Sequence, residues 1–313
     1  MNRRIVLISP CRDEARYMRR TLDSVAAQTL RPALWVIVDD GSTDETPRIL
    51  AEYAERFDWI RVMHRPDRGR RAVGPGVIEA FYAGLDRVDL DDFDYVCKLD
   101  LDLDLPARYF ELLVARMEAD PRLGTCSGKA YFPDPSSDRL VSEGCGDDTS
   151  VGATKLFRVQ CFREIGGFVR QVMWDGIDCH RCRMAGWRAV SWDDPEIRFV
   201  HLRPMGSSQV GIWTGRKRHG FGQYFMGTAP SYIVASALVR TTRHPVVIGG
   251  LAMVVGYFTA MLRGDQRYED PAFRRYLRRY HRLVLLRGKR RALEALEKEW
   301  GPRPDPSPAP ARV

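Results

Sequence analysis

Three apolar runs in the first hundred residues each stop on charge: RIVLIS gives way to PCRDE, LWVIV to DDGSTDET, and YVCKL to DLDLDLP. Between them lie stretches of helical periodicity, through Met18, Leu22, Val25 and Ala26, then Ile49, Leu50 and Tyr53, then residues 77–85. Short continuous apolar runs alternating with amphipathic helices are the pattern of parallel strands joined by crossovers and buried on both faces. The chain is therefore expected to be α/β, a mostly parallel Rossmann-like sheet flanked by helices. Strands are expected at residues 4–9, 34–38, 60–63 and 95–99. Helices are expected at 15–28, after a cap from Ser42, Thr43 or Asp44, at 77–85, and after Pro106 through Phe110, Leu113, Val114 and Met117.

The third acidic cluster alternates most strictly. A strand through it would put Leu99, Leu101 and Leu103 on one face and Asp100, Asp102 and Asp104 on the other. Like charges so placed repel, which leaves a solvated strand end or a cation shared with a phosphate. In an open parallel sheet, ligands sit outside the carboxyl ends of the strands, so the three clusters converge on one crevice. Carboxylates there repel a bare anion but suit Mg²⁺ or Mn²⁺ bridging to a nucleoside diphosphate. Asp40 is an acceptor for a base N–H or a sugar hydroxyl. Arg68, Arg70 and Arg71, beside the bend containing Gly74 and Gly76, offer charge to phosphate, or else form a solvated loop.

The chain has 313 residues, 44% of them hydrophobic, and a net charge of +8. That is enough for one large domain with an appendage. From residue 263 onward there are 14 basic against 7 acidic residues, so the excess is concentrated there. The apolar run at residues 5–8 is too short for a signal peptide. Seven cysteines without a framework suit reduced thiols in the cytosol. Cys179 and Cys182 flank His180 with no second pair at zinc spacing, so they are expected to be helix-face thiols.

The combination RIVLISPCRDE, WVIVDDGSTDET, KLDLDL and the later GGF resembles the bacterial family 2 glycosyltransferases over roughly residues 3–205. The resemblance implies a GT-A fold and an inverting, metal-dependent transferase that uses a nucleotide-diphosphate sugar, usually a UDP sugar, with Mg²⁺ or Mn²⁺. It implies that Pro10, Glu14, Asp39 and Asp40 hold the nucleoside, with Arg71 and Asp100 also toward the donor. Asp102 would be the metal ligand of a DxD motif, and His201 a further metal or phosphate contact. Asp104 is then left to cap the helix after Pro106. Asp178 aligns with the second acid of the family's catalytic pair and is the candidate base, with Asp175 in reserve; capping of its own helix is the competing role for Asp178. Asp13 stands where many relatives have Asn. The QxxRW signature of processive synthases is absent, which favours transfer of one sugar. In its place, Trp213, Arg216, Lys217 and Arg218 face the diphosphate or an acceptor phosphate.

Residues 245–262 carry no charge and sit at the short edge of a membrane span. A cytosolic donor and a basic tail argue against a simple crossing, leaving a shallow hairpin or a helix buried in a homo-oligomer. Residues 272–291 place Phe273, Leu277, Tyr280 and Val284 on one helical face and arginines on the rest, the pattern of a helix on anionic lipid or of one packed on its own domain. The expected organisation is a transferase domain over 1–230, a helical region over 231–295 and a disordered tail over 296–313. The expected role is an enzyme at the cytosolic face of the inner membrane acting on a lipid-linked or envelope glycan acceptor, with no nucleic-acid partner. A polyprenyl-phosphate sugar synthase is the alternative within the fold, and a non-catalytic scaffold binding membrane or nucleic acid the alternative outside it.

Overall fold

The structure, a computed structural model, describes residues 3–69, 74–134, 137, 139–203, 211–240 and 248–300. They divide into two compact units, the first formed by residues up to 170 together with 187–204, the second by 171–186 together with residues after 204.

The first unit holds strands β1 (Ile5–Cys11), β2 (Leu34–Asp39), β3 (Ile60–His64), β4 (Tyr95–Leu99), β5 (Leu103–Asp104), β6 (Leu123–Gly128), β7 (Ala130–Pro133), β8 (Leu140–Ser142), β9 (Thr154–Arg158), β10 (Arg188–Trp192) and β11 (Phe199–His201). Its helices are α1 (Met18–Ala26), α2 (Thr46–Arg56), α3 (Pro75–Leu85), α4 (Tyr109–Ala119) and α5 (Val159–Glu164). The main sheet runs β10-β6-β9-β4-β1-β2-β3. All its pairs are parallel except those of β9, which lies antiparallel between β4 and β6. Every residue of β1, β2, β4 and β6 is buried, as expected for strands covered on both faces. A smaller sheet, β5-β11-β7-β8, adjoins it in the chain.

The alternating segment does not continue as one strand. β4 ends at Leu99 and β5 begins at Leu103 in the other sheet, so Asp100 and Asp102 lie in the bend between sheets. Leu99, Leu101, Leu103 and Leu105 all enter the core, which anchors this bend on its apolar side. The Thr21 hydroxyl on α1 donates to the Leu103 carbonyl (2.7 Å) and accepts from its N–H (2.9 Å), holding β5 in place. Asp104 caps nothing: α4 starts at Tyr109 after Arg108, and Asp104 instead accepts from Arg20 at 2.8 Å.

The second unit is helical: α6 (Trp174–Met184), α7 (Gly211–Met226), α8 (Pro230–Arg240), α9 (Ile248–Arg263), α10 (Pro271–Arg287) and α11 (Lys289–Trp300). The packing thus groups α7, which ends before residue 230, with the C-terminal helices. Two glycines explain this. A Cβ on Gly220 would lie 2.0 Å from the Met253 carbonyl oxygen, and one on Gly256 would lie 2.1 Å from that of Lys217, so α7 and α9 cross backbone to backbone.

This packing buries one side of the apolar C-terminal segments, while Val234, Leu238 and Val239 of α8 and Ile248, Leu251 and Leu262 of α9 stay exposed. Met253, Gly256, Tyr257 and Ala260 of α9 are buried, and no helix among the described residues is long and apolar enough to cross a membrane. Phe273, Leu277 and Tyr280 of α10 are buried too, so the expected lipid face of this helix is turned into its own unit. His180 packs edge-on against Phe273, Tyr276 and Tyr280, with Cys179 and Cys182 buried on the same helix. Burial, then the nearby charges of Arg183, His281 and Lys289, holds the His180 ring well below the ordinary histidine range.

Candidate active site

The register of the first sheet brings the acidic strand ends level. Cys11 pairs with Asp39 and Asp39 with His64, while the pairing of β1 with β4 ends at Ile8 and Lys98, two residues before Asp100. Pro10 is the penultimate residue of β1, buried opposite Val38. Burial, then the carboxylates of Asp39, Glu14, Asp44 and Asp40, pushes the Cys11 thiol well above its usual range.

The loops after β1 and β2 are laced together through their backbones. Ser42 Oγ accepts from Asp13 N–H (2.9 Å), Thr46 Oγ1 from Glu14 N–H (2.8 Å), and Asp13 Oδ1 from Thr43 N–H (2.8 Å). Asp13 pays for this in a left-handed conformation, φ 52°. Gly41 is required twice over, by its φ of +75° and because a Cβ would lie 2.4 Å from the Asp67 Cα. Asp39 accepts from Ser42 N–H at 3.0 Å and meets His64 Nδ1 at 3.0 Å. Asp40, 7% exposed, is gripped by Arg65 at 2.8 Å and by Arg68, which also reaches Glu79. The Arg68 expected near phosphate is instead bound to Asp40 and Glu79; Arg70 and Arg71 lie outside the described residues.

At the bend after β4, Asp100 pairs with the buried Lys98, whose ammonium also donates to the Gly152 carbonyl at 3.0 Å. Burial, and the neighbouring Asp102, raise the Asp100 carboxyl above its ordinary range in spite of Lys98. Asp102 goes the other way. Burial opposes its charge, but His201 and Arg203 outweigh it and hold the carboxyl at about 2. The two acids of the motif are thus electrically distinct, as expected when like charges share a site.

His201 Nε2 lies 3.3 Å from Asp102 Oδ2, and its Nδ1 lies 3.3 Å from Glu143. Burial disfavours its charge, yet the two carboxylates raise it to about 10. His201 thus stands against Asp102, where the further metal or phosphate contact implied by the resemblance would lie. Arg203 completes the arrangement: Nε donates to Asp102 Oδ2 and Nη2 to Glu14 Oε1, each at 2.6 Å, with the guanidinium 5.6 Å from the centre of the Tyr17 ring. Sequence reasoning passed over Arg203, Glu143 and Lys98. The first was detectable, since Arg203 follows His201 by two residues and an extended chain turns both to one side.

The residues present fit a divalent cation. Asp102 is 4% exposed, and its Oδ1 has no hydrogen-bond partner among the described residues. A buried, ionised oxygen left without a partner is costly unless something binds it. No group of three or more His, Cys, Asp or Glu side chains poised to hold a metal occurs among the described residues. A hard cation can nonetheless be held by one or two carboxylates and completed by substrate phosphates.

Asp178 belongs to the second unit. It is 1% exposed and lies in the second turn of α6, whose N-cap is Met173, so helix capping is not its role. Asp175 occupies the first turn of the same helix. Arg216, Lys217 and Arg218 lie on α7, with Trp213 42% exposed ahead of them.

A doubly wound sheet with carboxylates gathered at the ends of adjacent parallel strands defines an α/β protein of the GT-A kind. The chain belongs to Glycosyl transferase family 2, whose model matches residues 6–166. It is 26% identical over 274 residues to the glycosyltransferase AglD of Haloferax volcanii, covering 80% of this chain. The chain spans 40% or less of the length of this and the other leading curated relatives. Among solved structures, it resembles the mannosyltransferase PcManGT of Pyrobaculum calidifontis in complex with GDP-Man and Mn²⁺ (TM-score 0.51, 19% identity, 95% of this chain and 86% of that one). It also resembles TarS residues 1–349 of S. aureus in complex with UDP-GlcNAc (TM-score 0.52, 12% identity, 95% and 91%).

Proposed function

We propose that this protein is an inverting, metal-dependent glycosyltransferase that moves one sugar from a nucleotide-diphosphate sugar, a UDP sugar in the first instance, to a lipid-linked or envelope glycan acceptor at the cytosolic membrane face. The observation that carries the reading is the buried, unpartnered Asp102 Oδ1 at the end of a sheet whose neighbouring strand ends carry Glu14, Asp39 and Asp40. Asp39 and Asp40, fixed by His64, Arg65 and Arg68, receive donor groups of the base and ribose. Pro10 and Glu14 line the same end, and Asp100 stands toward the ribose and phosphate. Mg²⁺ or Mn²⁺, held by Asp102 and the donor phosphates, would neutralise charge on the departing diphosphate.

In the reaction the acceptor oxygen attacks the anomeric carbon, the bond to the diphosphate breaks, and configuration inverts. Asp178 takes the acceptor proton as the new bond forms. His201, 3.3 Å from Asp102, supplies a further contact to the metal or the phosphates.

Calorimetric titration with UDP, GDP and dTDP, with and without Mn²⁺, tests the reading. One nucleotide should bind in a Mn²⁺-dependent manner, and Asp102→Ala should abolish that binding while leaving the fold intact. Folded wild-type protein that binds none of the three would overturn it.

A further inference from the structure

We propose that Arg203 is a built-in substitute for the divalent cation, a latch that keeps metal off Asp102 until a diphosphate arrives. The inference rests on the transferase reading above and adds to it an order of assembly. Asp102 and Glu14 are both nearly buried acids that need positive charge close by. The guanidinium supplies it to both at once, through two bonds of 2.6 Å.

Its placement follows from the backbone. The Leu202 N–H donates to the Asp102 carbonyl at 2.8 Å, and His201 stands opposite Leu103 in the antiparallel pair of β11 and β5. Arg203 therefore leaves the strand end directly beside Asp102, and the Tyr17 ring flanks its charge.

A cation approaching alone would meet Oδ1 of a carboxylate whose other oxygen already serves Arg203 and His201. The guanidinium charge would then crowd the newcomer, and like charges in a partly buried site repel strongly. A cation arriving with a nucleoside diphosphate changes the balance. The phosphates bring negative charge, and the planar fork of a guanidinium binds phosphate as well as it binds carboxylate. Arg203 can then exchange Asp102 and Glu14 for the diphosphate while the cation takes its place. Metal and nucleotide affinities become coupled, each raising the other.

The test is Mn²⁺ binding followed by the loss of the free-ion electron paramagnetic resonance signal, with no turnover involved. In the wild type, Mn²⁺ alone should bind weakly and UDP should tighten it by about tenfold or more. Arg203→Gln should bind Mn²⁺ alone about tenfold or more tightly than the wild type, and UDP should add little further. Equal affinity of the two proteins for Mn²⁺ alone, with UDP still tightening Mn²⁺ in the wild type, overturns the latch and leaves the transferase reading standing. Absence of Mn²⁺ binding in both proteins even with UDP, GDP or dTDP overturns the reading itself, and the latch with it. If Arg203→Gln does not fold without metal, Mn²⁺ should restore its melting transition; failure of Mn²⁺ to do so also overturns the latch.

Discussion

Asp13 is one of two non-glycine residues among those described, with Met173, that hold a positive φ. It holds φ at 52°, a region that costs an ordinary side chain roughly 1 kcal/mol or more and that Asn tolerates best. Its carboxylate recovers part of that by accepting from Thr43. Asp13→Asn should therefore melt within about 0.5 kcal/mol of the wild type, whereas Asp13→Val should lose about 2 kcal/mol; denaturant titration distinguishes the two. The acids of the site were readable in the sequence because each follows an apolar strand, and Glu14, Asp39, Asp40, Asp100 and Asp102 do gather at one end of the sheet. Their counter-charges were not. Lys98 lies inside a strand that reads as apolar, and Glu143 meets His201 across 58 positions of sequence. Nothing local marks such pairs, because tertiary structure alone brings them together.

At the level of elements, the alternation of strand and helix over residues 4–119 was legible to within a few residues, and β4 fell where its pattern put it. β9 was not, since a strand inserted antiparallel into a parallel sheet is apolar in the same way as its neighbours. The helices of the second unit make two predictions. Gly256→Ala should cost about 3 kcal/mol by forcing α9 off the Lys217 carbonyl. Gly264→Ala, where φ is +68° but no atom lies within 4 Å, should cost only about 1 kcal/mol; thermal melts of both variants separate close approach from backbone strain. The same unit buries His180 and His281, the latter stacked 4.0 Å from Tyr232 and lowered to about 3 by burial. A histidine whose folded pKa is depressed costs nothing above its unfolded value of about 6.5; as pH falls from there to about 3, the unfolded chain takes a proton that the folded one refuses. Helical stability should therefore decline through that window by about 1.4 kcal/mol per pH unit for the His281 ring, with His180 acting in the same direction. Hydrogen exchange of α10 measured against pH checks this, and His281→Phe, which keeps the stack, should remove one proton's share of the slope.

Across the whole molecule, charge is distributed unevenly. Arg275, Arg278, Arg279 and Arg282 are exposed on α10, with Leu285 and Leu286 exposed at its end, while the apolar face of the helix is spent on internal packing. If the protein works at a membrane face, its attraction should be mainly electrostatic: flotation with vesicles rich in anionic lipid, lost on raising salt to about 0.5 M. Flotation that salt leaves unchanged would point to insertion instead. The order of the main sheet has a further consequence, for synthesis. β9, at residues 154–158, fills the space between β4, which ends at Leu99, and β6, which ends at Gly128. A ribosome adding about 5–20 residues per second delivers β9 several seconds after β4. Through that interval, the nascent chain holds two bare strand edges facing each other, open to any passing strand. Chaperone demand should thus peak before residue 158 emerges, and a ribosome stalled short of that point would release a chain far more prone to aggregation than one stalled just beyond it.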